Sequence, residues 1–305
     1  MAVVRLECFL AKWSWFNLIV FVVVVSSISF FFNIAAHGKS EIVLTIPRNG
    51  FSIGSNVVLA LLASLVPGVV VLAWSKECRA ALLRVGAGIH IYLLALLIGF
   101  VLPFLSYLGA RHAYPLPWNS NTPVVLIRVF FINLLLTPLW EEVIWRGFFY
   151  PKVSSMIGLP RAIFVTAVGW MIWHAGFIFL LYRSGIAPPL LLVFSAQVFF
   201  GGVALCSIFT LGGNSLAPCV LLHCSLNAST VAYYGSYGRV SDLGSYIAEA
   251  LATLLVSAIL FSLVMCKGDE ALVHCARPRL TDARAAADCE SASAPPAGNR
   301  VTETF

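Results

Sequence analysis

Long apolar runs, each able to cross a bilayer as a helix, dominate this chain and exclude most folds. They fall at about 16 to 36, 53 to 74, 85 to 108, 123 to 150, 162 to 182, 189 to 211, 215 to 234 and 245 to 265, with charge or Gly, Pro and Asn clusters between them. A spanning helix consumes about 20 mostly apolar residues. Of the 305 residues 60% are hydrophobic and only 10% charged, whereas soluble domains average about a quarter charged. The bilayer is therefore the solvent, and the expected fold is all-α: a polytopic membrane bundle of about eight transmembrane helices. The alternating strands of a membrane barrel are absent.

The runs predict a membrane domain over residues 1 to 265. The fourth run exceeds what a bilayer needs and its last third is polar, so it tilts or projects past the hydrocarbon. Gly212, Gly213 and Asn214 alone join the sixth and seventh, which makes those two antiparallel neighbours. Arg5 and Lys12 before the first run resemble a secretory signal, but Phe16 to Phe32 is longer than a signal core, and an uncleaved span is expected. Residues 266 to 305 are rich in charge, Ala, Ser and Pro and predict a disordered tail.

With an even span count both ends share one side. Arg5, Lys12, Lys76, Arg79, Arg84, Arg146, Lys152, Arg161 and the five basic residues of the tail lie on that side, against Lys39, Arg48, Arg111, Arg183 and Arg239 on the other. Basic residues favour the cytoplasmic side of short loops, so both termini are expected there. The net charge of +6 is accounted for by this bias and implies no nucleic acid. The eight cysteines form no close-set metal pair, and reduced, passive thiols are the expectation. Cys224 adjoins His223, but neighbours on a helix point about 100° apart, so the two do not form a nucleophile and base.

Ionisable residues in apolar surroundings carry the functional signal. Of the 13 acids only Glu141, Glu142 and Glu249 fall within predicted spans. Each charge at mid-membrane costs about 2.5 to 3.5 kcal/mol, so the consecutive pair in Trp140-Glu-Glu-Val-Ile-Trp-Arg-Gly147 demands a reason. Glu142 and Arg146 are four apart, the helical spacing for an ion pair. Glu141 is left without a local cation, and a partly desolvated carboxylate suits general-base work. A structural salt bridge near the interface is the competing reading.

His174 sits in Trp170-Met-Ile-Trp173-His174, inside the fifth run, as a packing residue or a catalyst. His223 and Asn227 share a face of the seventh run, as interhelical glue or as a site for a carbonyl oxygen or water. Counting 1.5 Å per residue, Glu141, His174 and His223 lie roughly 13, 20 and 12 Å from the same membrane edge. A carboxylate, two imidazoles and an amide at one depth suit a water-activating hydrolase. Bland readings fit the others: His90 packs, Arg128 snorkels, Asn133 and Gln197 hydrogen-bond between helices, and Glu249 reaches the interface.

In this order, Glu141-Glu142-x-x-x-Arg146, Trp170-x-x-x-His174 and His223-x-x-x-Asn227 resemble the motifs of the CPBP intramembrane proteases. That family includes the type II CAAX prenyl endopeptidases, or Ras-converting enzymes, and bacteriocin-processing relatives. The resemblance covers about residues 123 to 235, and Trp145-Arg146-Gly147 with Trp173-His174 looks like a branch in which Trp replaces the usual Phe of the second motif. It implies an endopeptidase acting on a membrane-associated peptide or prenylated protein, in which Glu141 and His174 activate water. It further implies that His223 and Asn227 stabilise the oxyanion, with Glu142 and Arg146 supporting the site. No cofactor is expected; the runner-up is a divalent metal such as zinc on Glu141, His174 and His223. Two alternatives stand beside the peptidase: a transporter using these polar groups as an ion path, and an immunity- or scaffold-type binding protein retaining the motifs.

Overall fold

The computed structural model describes residues 14 to 37, 55 to 113, 122 to 135, 137 to 183, 185 to 234 and 243 to 276. All regular structure among them is helical: α1 (Trp15–His37), α2 (Ser55–Trp74), α3 (Lys76–Leu83), α4 (Ile89–Ala113), α5 (Thr122–Leu135), α6 (Thr137–Glu142), a π-helical turn (Val143–Phe149), α7 (Tyr150–Ile157), α8 (Leu159–Trp173), α9 (Ala175–Arg183), α10 (Pro188–Leu211), α11 (Leu216–Tyr234) and α12 (Leu243–Ala276). The chain divides into two units, Met1–Val264 and Met265–Phe305, and every contact of the candidate site lies within the first. The part of the expected disordered tail from 277 onward lies outside the described residues, and α12 continues to Ala276, past the expected end of the last run.

Among the described residues, four helical segments are long and apolar enough to cross a membrane alone: Trp15–Phe32, Pro188–Leu211, Leu216–Tyr233 and Ile247–Lys267. Three bent pairs raise the number to as many as 7: Leu61–Trp74 with Lys76–Leu83, Thr122–Leu135 with Thr137–Ile157, and Leu159–Trp173 with Ala175–Arg183. The run expected at 85 to 108 forms α4, Ile89–Ala113, which begins with the apolar stretch Ile89–Leu105. The surface is apolar where a soluble protein's is polar. Phe16, Ile19 and Val23 of α1, Leu93 and Leu97 of α4, and Leu251, Leu255, Ile259 and Leu263 of α12 are all exposed, as stripes that only lipid can cover.

Several hydroxyls inside the bundle are satisfied locally. Ser195, Ser207, Ser225 and Thr230 each donate to the carbonyl four residues earlier, so no buried donor faces hydrocarbon unpaired at these positions. Helix α11 is the centre of the packing, flanked by α4, α5 and α10. The approach to α4 is possible only because residue 99 is glycine. A Cβ there would lie 2.7 Å from Ser225 Cβ and 2.9 Å from the carbonyl oxygen of Leu222.

The basic stretch after the second run is not a loop but α3, turned 105° from the end of α2. Ser75 caps it, its hydroxyl accepting from the Cys78 amide at 3.1 Å. Arg79 then turns back and donates to the carbonyls of Leu72 and Ala73, 2.8 Å each, supplying partners that the last turn of α2 lacks. The α10–α11 connection is as short as expected: Gly213 and Asn214 adopt left-handed backbone, and the Asn214 amide donates to Phe209 at 2.9 Å. Cys219 of α11 faces the Leu205 carbonyl of α10, so the two helices run antiparallel side by side. Phe21 of α1 packs on Trp145, Phe148 and Phe149 of the π turn, with ring centroids 5.3–6.5 Å apart, which makes α1 part of the core beneath the site.

Candidate active site

Three breaks in otherwise continuous helix set up the site, where two uninterrupted spans were expected. The fourth run divides between α5 and α6, next to Pro138, whose ring excludes the carbonyl four residues earlier and which has no N–H to give. It then passes from α-helix into the π turn directly after Glu142. The fifth run breaks at His174, whose φ of −77° and ψ of −3° end α8 before α9 resumes at a 40° bend. His174 therefore sits at a kink rather than within a regular span. Single π turns are rare and concentrate at functional positions, and every residue of this one is buried.

The expected pair of Glu142 and Arg146 is present. Arg146 Nη1 donates to Glu142 Oε1 at 3.2 Å, and both side chains are fully buried. Arg146 Nη2 reaches the Gly202 carbonyl of α10 at 3.3 Å. That carbonyl comes close because residue 202 lacks a Cβ, which would lie 3.0 Å from the Ala167 Cα of α8. The guanidinium also lies over the Trp170 ring, 4.6 Å from its centroid. Ion pairing, a carbonyl and a ring face together offset the cost of sealing a charge from water.

Glu141, without a cation on its own helix, finds partners on two others. Its Oε2 accepts the Trp170 indole N–H of α8 at 3.1 Å and lies 4.0 Å from His223 Nε2 of α11, the latter outside hydrogen-bond range. The side chain is 5% exposed, so it faces the protein and not acyl chains. Its Oε1 has no hydrogen bond among the described residues.

The two histidines are each held through Nδ1. His174 Nδ1 lies 2.8 Å from the Trp170 carbonyl; a carbonyl only accepts, so Nδ1 carries the hydrogen and Nε2 keeps its lone pair. His223 Nδ1 lies 2.9 Å from Glu142 Oε1, and by the same reasoning donates to it. The imidazole of His223 is thus anchored to one glutamate while its other nitrogen faces the next. The Trp170 ring meets both imidazoles edge to face, at 4.7 Å for His174 and 5.5 Å for His223. Asn227 follows one turn beyond His223 on α11, half-buried and with no hydrogen bond among the described residues.

Among the described residues no three His, Cys, Asp or Glu side chains are grouped to hold a metal ion. In the trio of Glu141, His174 and His223 the Trp170 indole N–H occupies Glu141 Oε2 and leaves Oε1 open, and each histidine engages its neighbour through Nδ1 and keeps Nε2. Cys78, Cys206, Cys219, Cys224 and Cys266 are free thiols; the side chains of Cys8, Cys275 and Cys289 lie outside the described residues.

Two contributors escaped sequence reasoning. The Gly202 carbonyl carries no signal beyond the Gly201-Gly202 pair. Trp170 appears in the sequence only as an aromatic four residues before a histidine, which does not reveal that its N–H meets a carboxylate 29 residues away. Of the bland expectations, Arg128 is exposed as a snorkelling residue is, whereas the buried Asn133 Nδ2 finds no partner and Gln197 makes no hydrogen bond among the described residues.

Compared with known families, residues 123–229 match the model described as Type II CAAX prenyl endopeptidase Rce1-like. The matched segment runs from α5 into α11 and contains Glu141, Glu142, Arg146, Trp170, His174, His223 and Asn227. No curated protein matches the chain.

Proposed function

We propose, from a chain that carries a Rce1-like type II CAAX prenyl endopeptidase domain, a catalytic assignment and a substrate class for it. That match supports reading the protein as a CAAX-type intramembrane endopeptidase in general terms. The reading here is that Glu141 and His174 activate a water, that His223 and Asn227 hold the oxyanion, and that the substrate is a prenylated carboxyl-terminal peptide. The single observation that supports it best is the one-sided satisfaction of Glu141: Oε2 is fixed by Trp170, and Oε1 has no hydrogen bond among the described residues.

The chemistry follows from that geometry. A water between Glu141 Oε1 and His174 Nε2 loses a proton to the carboxylate as its oxygen attacks the scissile carbonyl carbon. The electrons of the C=O bond move to oxygen, where the Asn227 amide and His223 Nε2 donate to the developing charge. The C=O bond re-forms from the oxyanion, the C–N bond breaks with its electron pair on nitrogen, and the nitrogen takes the proton held by Glu141; the second proton of the former water passes through Glu141 to the amine, so a carboxylate and an ammonium leave. His223 donates through Nε2 only when both ring nitrogens carry hydrogen. In that form the charges of Glu141, Glu142, Arg146 and His223 sum to zero, which suits a buried site. Each of these steps uses side chains and water alone, and we assign no cofactor.

The orientation expected from the basic bias of the loops suits such a substrate: with both termini cytoplasmic, a prenylated terminus would arrive with its lipid in the membrane and its peptide at the interface. The test is cleavage of a farnesylated peptide and its unprenylated twin by protein reconstituted in vesicles, with products located by mass. Cleavage that requires the lipid supports the assignment. Equal cleavage of the twin would overturn the substrate class, and absence of any product would overturn the peptidase reading.

A further inference from the structure

Trp170 touches four members of the site: Glu141, Arg146, His174 and His223. Its indole N–H donates to Glu141 Oε2 at 3.1 Å, and its carbonyl accepts from His174 Nδ1 at 2.8 Å. Its face lies 4.6 Å from the Arg146 guanidinium, and its edge contacts the His223 ring. The side chain is 6% exposed. A residue present only to fill space would need neither hydrogen bond, and no neighbouring group duplicates either one among the described residues.

We infer that Trp170 is a positioning residue that fixes which oxygen of Glu141 and which nitrogen of His174 face the reacting water. The N–H occupies Oε2, so Oε1 is the oxygen left to act as base. The carbonyl holds hydrogen on His174 Nδ1, so Nε2 is the nitrogen left to orient the same water. One residue thereby sets both partners from opposite ends: its ring tip acts on a carboxylate delivered by α6, and its backbone on an imidazole one turn later on α8. The kink at His174 serves this arrangement, because it places the imidazole back over its own preceding turn, where the Trp170 carbonyl lies. The inference rests on the assignment of Glu141 as the base, and the experiment separates the two.

The test compares Trp170→Phe, which keeps a ring and loses the N–H, with replacement of Trp170 by 3-benzothienylalanine, which keeps the full bicyclic shape and loses only the donor. With the farnesylated peptide as substrate, both are expected to lower kcat by about 10- to 100-fold with KM within about two-fold of wild type, as loss of an orienting hydrogen bond does. A space-filling role predicts instead that the benzothienyl protein matches wild type, and that result would overturn the inference. Should Trp170→Phe fail to fold, the benzothienyl protein decides. A second readout needs no turnover: the indole ¹⁵N–H resonance assigned to residue 170 is expected to move when Glu141→Leu removes its acceptor, and an unmoved resonance would overturn the bond itself. Wild-type protein without activity would overturn the peptidase reading and this role with it, whereas active wild type with equally active variants overturns this role alone.

Discussion

His223 Nδ1 lies 2.9 Å from Glu142 Oε1, joining residues 81 positions apart in the chain. The same carboxylate oxygen accepts from Arg146, so one buried atom ties α6, the π turn and α11 together. Since the other nitrogen of His223 faces Glu141, the two consecutive glutamates divide their work: Glu142 holds the histidine and Glu141 stays available.

Breaking that tie leaves a buried charge uncompensated. Glu142→Gln is expected to destabilise the fold by about 3 to 5 kcal/mol, the usual effect of removing one partner from a buried pair. Glu142→Gln combined with Arg146→Met should cost less than the two single changes added together. Chemical denaturation in mild detergent gives all three values. Strict additivity would show that the pair is not coupled as its 3.2 Å contact indicates.

The contact of α4 with α11 offers a test of the packing remote from the chemistry. In Gly99→Ala the new methyl meets Ser225 and the Leu222 carbonyl, and overpacking of this kind costs about 1 to 3 kcal/mol. Ser225→Gly in the same protein should recover part of the loss, because it removes two of the three closest atoms. A thermal midpoint for Gly99→Ala equal to that of wild type would mean that the helices are not in close contact here.

Much of this architecture can be read from the sequence, and the unread part has a common cause. The Glu142–Arg146 pair follows from spacing on one helix, and the α10–α11 turn follows from Gly212, Gly213 and Asn214. The choice of Glu141 over Glu142 as the free carboxylate follows from the same spacing. What spacing does not reveal is contact between helices, such as Trp170 to Glu141 or His223 to Glu142, because an apolar run reports that a helix crosses the membrane without reporting which face turns inward. Pro138 marks the α5–α6 break in hindsight. The kink at His174 and the π turn after Glu142 have no proline at the break, and Gly147 and Gly176 sit within apolar sequence, so hydropathy runs straight through both. The basic α3 cannot be told from a loop in the sequence because charge near a span end looks the same in either conformation.

His174→Asn isolates the role of one nitrogen. The asparagine amide can still donate to the Trp170 carbonyl from nearly the position of Nδ1, but nothing replaces Nε2. Turnover of the farnesylated peptide is expected to fall by about 10²- to 10⁴-fold, the range for losing an acid–base group, with the thermal midpoint preserved. Retained turnover would remove His174 from the chemistry.

Metal dependence is open to a direct check. With the assignment made here, 1,10-phenanthroline leaves turnover unchanged and elemental analysis of active protein finds no stoichiometric zinc. Inhibition reversed by added zinc would instead make Glu141, His174 and His223 metal ligands.

The most direct measurement of the central claim is single-turnover cleavage of the farnesylated peptide by Glu141→Gln beside wild type, with substrate binding measured on the same preparations. The account predicts binding within about two-fold and a cleavage rate lower by about 10²-fold or more, since an amide cannot take the proton. Equal cleavage rates in the two proteins would contradict it.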